Sequence, residues 1–92
     1  GPAYYVPNTF SPNGDGINDV FRAVPVGISY TEWFRVFNRF GELVFETNKW
    51  LKGWDGTYLG KKQSPGVYVW IVKGMDKNGR KVEMKGTVMI IQ

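Results

Sequence analysis

Apolar and polar residues alternate with a period of two along much of this chain, in short runs broken by glycine and proline. That period sends successive side chains to opposite faces of an extended strand. Tyr4–Val6 reads as a short first strand ended by Pro7, and Asp19–Ala23 as a second. Glu32–Phe40, "EWFRVFNRF", reads as a long third. Phe34, Val36 and Phe40 share one face of it, and Trp33, Arg35, Phe37 and Arg39 the other. Gly41 can take the positive φ that a tight turn needs, and Leu43–Thr47 returns as an antiparallel partner. A polar, glycine-rich connection follows, "NKWLKGWDGTYLGKKQSPG". Gly66–Met75, "GVYVWIVKGM", is apolar on both faces, as a central strand is. Asn78-Gly79 is a strong hairpin signal, and Lys81–Ile91 is the returning strand. There Val82, Met84, Val88 and Ile90 alternate with Lys81, Glu83, Lys85 and Thr87, and Gly86 is a candidate bulge.

No segment carries apolar residues at helical spacing. The pattern predicts an all-β protein, an immunoglobulin-like antiparallel β-sandwich of about seven strands, with a small closed barrel as the alternative. Ninety-two residues suit a single domain, 1–92. Gly1-Pro2 resembles a protease-cleavage scar, so residues 1–3 are read as scar or linker.

Composition narrows the chemistry. Cysteine is absent, which removes disulfides and thiolate chemistry. Histidine is absent too, and with it the usual base near neutral pH and the commonest transition-metal ligand. The net charge of +4 is spread over 12 basic residues whose densest run is "GKKQ" at 60–63, so a solvated basic surface explains it better than nucleic acid. No apolar run is long enough to insert across a membrane, and no stretch reads as a signal peptide.

The most unusual segment is "FSPNGDGINDVF", Phe10 to Phe21. Ser11, Asn13, Asp15, Gly16, Ile17 and Asp19 fall at the first, third, fifth, sixth, seventh and ninth positions of a calcium loop, with Ile17 offering its carbonyl. The ninth-position carboxylate is present, but Ser11 replaces the usual first Asp, and Arg22 stands where a bidentate Glu belongs. A calcium ion, the one cofactor suggested, would therefore need Asn13, Asp15, Ile17 and Asp19 completed by Asp55 of "GWDGT". The same residues also build a bare turn, since Asn and Asp bond their own backbone and Gly supplies positive φ.

Other constellations are weaker. Trp33, Trp50, Trp54, Tyr58, Tyr68 and Trp70 could stack on sugars, but a small cysteine-free domain uses large rings for burial. Trp70 and one of Trp50 and Trp54 are expected in the core. Arg35 and Arg39 share a face with Trp33 and Phe37, yet two arginines make no stripe for single-stranded nucleic acid. A carboxylate pair such as Asp15 and Asp55 is the only hydrolytic arrangement on offer, and nothing fixes it in a cleft, so no enzyme is expected. Met89 and Ile91 put apolar groups on the otherwise polar face of the last strand, which marks it as central or as a docking edge.

Taken in order, "VPNTFSPNGDGINDVF", "FRVFNRFGELVFET", "WDGTYLGKKQSPGVYVWIV" and "DKNGRKVEMKGTVMII" resemble the gliding-motility-associated C-terminal domain, the type B sorting domain of the Bacteroidetes type IX secretion system. The resemblance runs from Val6 to Gln92. It implies a non-catalytic address at the end of a large secreted or surface protein. The parent cargo would pass through the periplasm and then reach the cell surface or medium. The implied partners are translocon proteins, notably a PorP/SprF-type outer-membrane β-barrel, with no nucleic acid and no membrane insertion. Candidate recognition residues are Arg39 and Glu42 of the "NRFGE" hairpin and Lys85, Thr87, Met89 and Ile91 of the last strand. The alternative is a calcium-stabilised adhesive or carbohydrate-binding sandwich on a surface protein.

Overall fold

The computed structural model describes all residues, Gly1–Gln92. Nine strands follow one another with no helix between them: β1 Ala3–Tyr5, β2 Thr9–Phe10, β3 Val24–Val26, β4 Ile28–Phe37, β5 Leu43–Thr47, β6 Thr57–Tyr58, β7 Lys61–Lys62, β8 Gly66–Asp76 and β9 Lys81–Ile90. Five form the main sheet in the order β2-β9-β8-β4-β5. The most apolar strand, β8, lies at its centre, as its two apolar faces require. Every pairing is antiparallel except the short parallel join of β2 to the end of β9, Thr9 with Met89 and Phe10 with Ile90. The facing layer is not a second continuous sheet. It consists of the ribbons β1-β3 and β6-β7 together with the loops around Phe21 and Trp54.

Leu43–Thr47 and the two strands of the Asn78-Gly79 hairpin lie within a residue of where alternation puts them. Asp76 secures that hairpin, its buried carboxylate accepting from the amides of Asn78 and Arg80, both at 2.8 Å. Three expectations are corrected. Asp19–Ala23 is not a strand; only Phe21 bridges, exchanging backbone hydrogen bonds with Trp54, while its ring fills the core. The long third strand begins four residues earlier, at Ile28, and stops at Phe37. There Asn38 Oδ1 takes the amides of Phe40 and Glu42 and folds the chain into a turn. Phe40 is consequently 81% exposed and does not share the burial of Phe34 and Val36. Gly86 is not at a bulge. It pairs in register with Trp70, and a Cβ built on it would lie 2.8 Å from Cζ2 of that indole. The missing side chain makes room for the ring.

One cluster of 14 buried residues lies between the layers. Its spine is aromatic: Tyr68, Trp54, Phe10, Phe21 and Phe34 meet in succession, and half-buried Phe45 extends the series, with ring centroids 5.1 to 6.1 Å apart. The expectation that one of Trp50 and Trp54 is core is met by Trp54. Each ring with a polar handle finds a partner. Trp54 Nε1 donates to the Thr57 carbonyl (2.8 Å), Trp70 Nε1 to Thr87 (3.2 Å) and the Tyr68 hydroxyl to Ser64 (2.7 Å). Tyr4 lies over Gly74, with its hydroxyl 2.8 Å from Thr31 Oγ1. No buried side-chain nitrogen or oxygen lacks a hydrogen-bond partner.

Candidate functional site

The loop between Phe10 and Phe21 closes on itself. Asp19 holds it with both carboxylate oxygens, Oδ1 accepting from Gly14 N (2.9 Å) and Oδ2 from Gly16 N (2.7 Å). Asn13 accepts from the Asp15 amide (3.1 Å) and Asp15 from the Ile17 amide (2.8 Å). Ser11 N donates to the Asn18 carbonyl at 2.8 Å and draws the base of the loop together. These are the local side-chain to backbone bonds by which Asx turns form. Asp55, the proposed remote ligand, makes a turn of its own, accepting from both the amide and the hydroxyl of Thr57. Asp15, Asp19 and Asp55 do not converge into a three-carboxylate cluster.

The other candidate lies on the sheet face turned away from the core. Cross-strand pairing sets side by side Leu43, Phe37, Val69 and Thr87 in one row, and Val67 and Met89 in the next. Ile71 continues the strip along β8, flanked by Arg35 and Lys85. Nothing in the chain covers this strip: Val67 is 46% exposed, Met89 42% and Val69 37%. Beyond Ile71 the face turns polar. Arg35 pairs with Glu46, and Lys73 with Glu83 at 3.8 Å. Both cations also lie against Trp33, with the Arg35 guanidinium carbon 3.9 Å from the ring centroid.

At the other end of the strip a cleft of about 240 Å³ opens between the Asn38–Phe40 turn and the segment Ser64–Val67. Arg39 lines it, 5.1 Å from the Phe40 ring centroid and without a carboxylate partner. Its guanidinium acts on Tyr68 at the cleft wall. Burial pushes that hydroxyl's pKa up, and the nearby positive charge opposes the rise. Glu42 does not neutralise Arg39; its carboxylate is held by Asn38 Nδ2 at 2.9 Å.

Residues 4–90 match the CHU_C type IX secretion signal domain family. The chain belongs to this family. No curated protein matches it. A type IX secretion signal domain is part of a cargo protein and marks it for export to the cell surface or extracellular space, working with the secretion machinery.

In this secretion signal domain, Lys85, Thr87 and Met89 lie together on the outer face of β9, and Arg39 lies at the end of the same face. Ile91 follows β9, exposed, with its amide bonded to the Phe10 carbonyl. Glu42 stays at the hairpin, next to Leu43. What sequence reasoning missed is the contribution of β8 and β5: Val67, Val69, Ile71 and Leu43. The signal is present in "GVYVWIV", whose two apolar faces mark a central strand and also supply an outward-facing apolar row. The proposed sugar-stacking rings do not form a platform. Trp54, Tyr68 and Trp70 are buried, Trp33 is overlaid by cations, and Trp50 stands on a separate loop.

Proposed function

We propose that the domain is a non-catalytic address, read by a translocon protein through the outer face of its main sheet. In this reading the parent protein crosses the periplasm and is then recognised by an outer-membrane β-barrel of the PorP/SprF type. The observation that carries it is the strip of exposed Leu43, Val69, Val67 and Met89, with half-buried Phe37 and Ile71 among them, on a strand-paired surface. Scattered apolar surface residues are ordinary, but a contiguous rigid strip marks an interaction site. The unpaired Arg39 and Lys85 at its margins favour a partner with an apolar centre and carboxylates around it. Beyond the two residues that pair with β2, the outer edge of β9 has no strand beside it. An extended segment of the partner could pair there.

The test is export of a reporter fused ahead of residues 1–92 in a host with an intact type IX system. The unaltered fusion reaches the surface or medium. Val69→Lys combined with Met89→Lys lowers export about tenfold or more, as does Arg39→Glu to a smaller degree. All three changes lie on exposed positions and cost less than about 1 kcal/mol of stability, checked by thermal melting. If the folded variants are exported as well as the unaltered domain, the recognition face is elsewhere.

A further inference from the structure

The connection between β5 and β8 carries a second, separate surface feature. Between residues 49 and 62 stand four lysines against a single aspartate, so this stretch holds three of the chain's four net positive charges. Lys49, Lys52, Lys61 and Lys62 are all exposed, and none is paired with a carboxylate. Asp55 is turned onto Thr57. Arg22 adds a fifth cation, its Nε donating to the Leu51 carbonyl at 3.0 Å.

Two loop tips in this stretch repeat one design. At the first, Lys52 N bonds the Lys49 carbonyl, and the turn presents Trp50, 55% exposed, and Leu51. At the second, the two-residue loop joining β6 to β7 presents Leu59, 84% exposed. Both leucines occupy the left-handed region, with φ of 59° and 53°. Leu59 and Gly60 both have positive φ, the type I′ geometry that favours Asn-Gly. A leucine there strains the backbone and gains no burial in return. Local folding therefore does not explain Leu59, whereas contact with an apolar phase explains it together with the exposed Trp50 and Leu51.

We infer that the two tips form a peripheral contact with an anionic lipid surface. The lysines meet headgroup phosphates, and Trp50, Leu51 and Leu59 dip into the boundary between headgroups and acyl chains. Exposed Trp and Leu ringed by Lys is the composition of such interfacial contacts. Nucleic acid would use the cations but leave the leucines in water. No helix crosses the membrane in this arrangement, and none is long or apolar enough to do so. The contact involves neither β9 nor the apolar strip, so it stands whether or not that strip is the translocon's target.

Co-sedimentation of the purified domain with vesicles tests it. The domain binds phosphatidylcholine vesicles containing about a quarter phosphatidylglycerol, binds pure phosphatidylcholine weakly, and is released by high salt. Lys61→Glu with Lys62→Glu weakens partitioning by roughly 25-fold or more, at about fivefold for each lysine lost. Leu59→Asn weakens it by roughly fivefold to tenfold while its melting temperature holds or rises, because Asn accepts the left-handed backbone. Lys77→Glu with Lys81→Glu, an equal charge change on the β8-β9 hairpin, binds like the unaltered domain. The inference is overturned by absence of binding to the anionic vesicles, by equal binding to neutral ones, or by equal loss in the hairpin control. Partitioning that Leu59→Asn and Trp50→Ala both leave unchanged also overturns it.

Discussion

The main sheet has two apolar faces with opposite fates. Residues directly across from one another on β4, β8 and β9 illustrate both. Val36, Trp70 and Gly86 form a row on the inner face, and Phe37, Val69 and Thr87 form the next row on the outer. On the inner face a large ring sits over a glycine, and the facing layer seals the row: Val36 is fully buried and Trp70 nearly so. On the outer face, Val69 is exposed and Phe37 half-buried, with no layer laid over them. Strands β4 and β8 therefore supply hydrophobicity to both sides, while the remaining chain covers only one. Burial is set by what is laid over a surface as much as by the surface itself. In the proposed reading, the uncovered apolar face is the one a translocon protein takes. Substitutions on the inner face should therefore register in stability, and those on the outer face in export.

The largest effect is expected at Trp54. It is 1% exposed, lies between Phe10 and Tyr68, and ties the two loops of the covering layer together through its backbone bridge to Phe21. Trp54→Ala removes two ring contacts and the indole hydrogen bond to Thr57. It should cost about 3–5 kcal/mol in urea unfolding, a large part of the roughly 5–15 kcal/mol that holds a domain folded. A loss below about 1 kcal/mol would mean that the covering layer is not what seals the inner face, and the contrast between the faces would break.

A smaller, sharper probe is Gly86→Ala. The new methyl would meet the Trp70 ring at 2.8 to 3.2 Å, so either the indole moves and strains its bond to the Thr87 carbonyl or the strand shifts. A cost of about 1–3 kcal/mol is expected. In a Trp70→Phe background, where the ring is shorter, the same change should cost measurably less. Equal cost in both backgrounds would refute the notch. On the outer face no residue is wedged in this way, and Val69→Lys should shift the melting temperature by only a few degrees.

Legibility in the sequence follows the range of the interactions. Leu43–Thr47 and the β8-β9 hairpin were readable because alternation and the Asn78-Gly79 turn are local signals that the structure amplifies. The first strand, expected at Tyr4–Val6, lies one residue earlier, at Ala3–Tyr5, but its pairing with β3 and the parallel join of β2 to β9 are not legible. Each is only two or three residues long and is fixed by contacts from far along the chain, such as Tyr4 over Gly74. Asp19–Ala23 fails to form the expected strand for the same reason, since the strand neighbour of Phe21 is a single bridge to Trp54. Of the proposed surface, the sequence offers Arg39, Lys85, Thr87 and Met89 as candidates from turn and strand-end chemistry. Their neighbours Val67, Val69 and Ile71 are not among them, because alternation reports which face a side chain takes and not whether that face is covered. The loops that carry Trp50 and Leu59 gave no periodic signal at all, and their left-handed leucines contradict the residue preference of the turns they occupy.

The loop "FSPNGDGINDVF" ties this contrast to the question of calcium and carries the smallest expected effect. Its two ends are driven into the inner face, with Phe10 and Phe21 buried and their rings 5.6 Å apart. Between them Asp19, Asn13 and Asp15 already bond four of the loop's own amides. Anchoring and internal hydrogen bonds thus close the loop with its own atoms. Thermal melting in millimolar calcium and in excess chelator should therefore agree within about 1 °C, where a saturating ion at 100 times its Kd would add about 2.7 kcal/mol and several degrees. Asp19→Ala should instead lower stability by about 1–2 kcal/mol under both conditions, since it frees the amides of Gly14 and Gly16 in a partly solvated loop. A calcium-dependent rise in melting temperature that Asp19→Ala abolishes would reverse the assignment. The loop would then be a cation site whose ligands rearrange from these amides, and its hold on the inner face would rest on the ion.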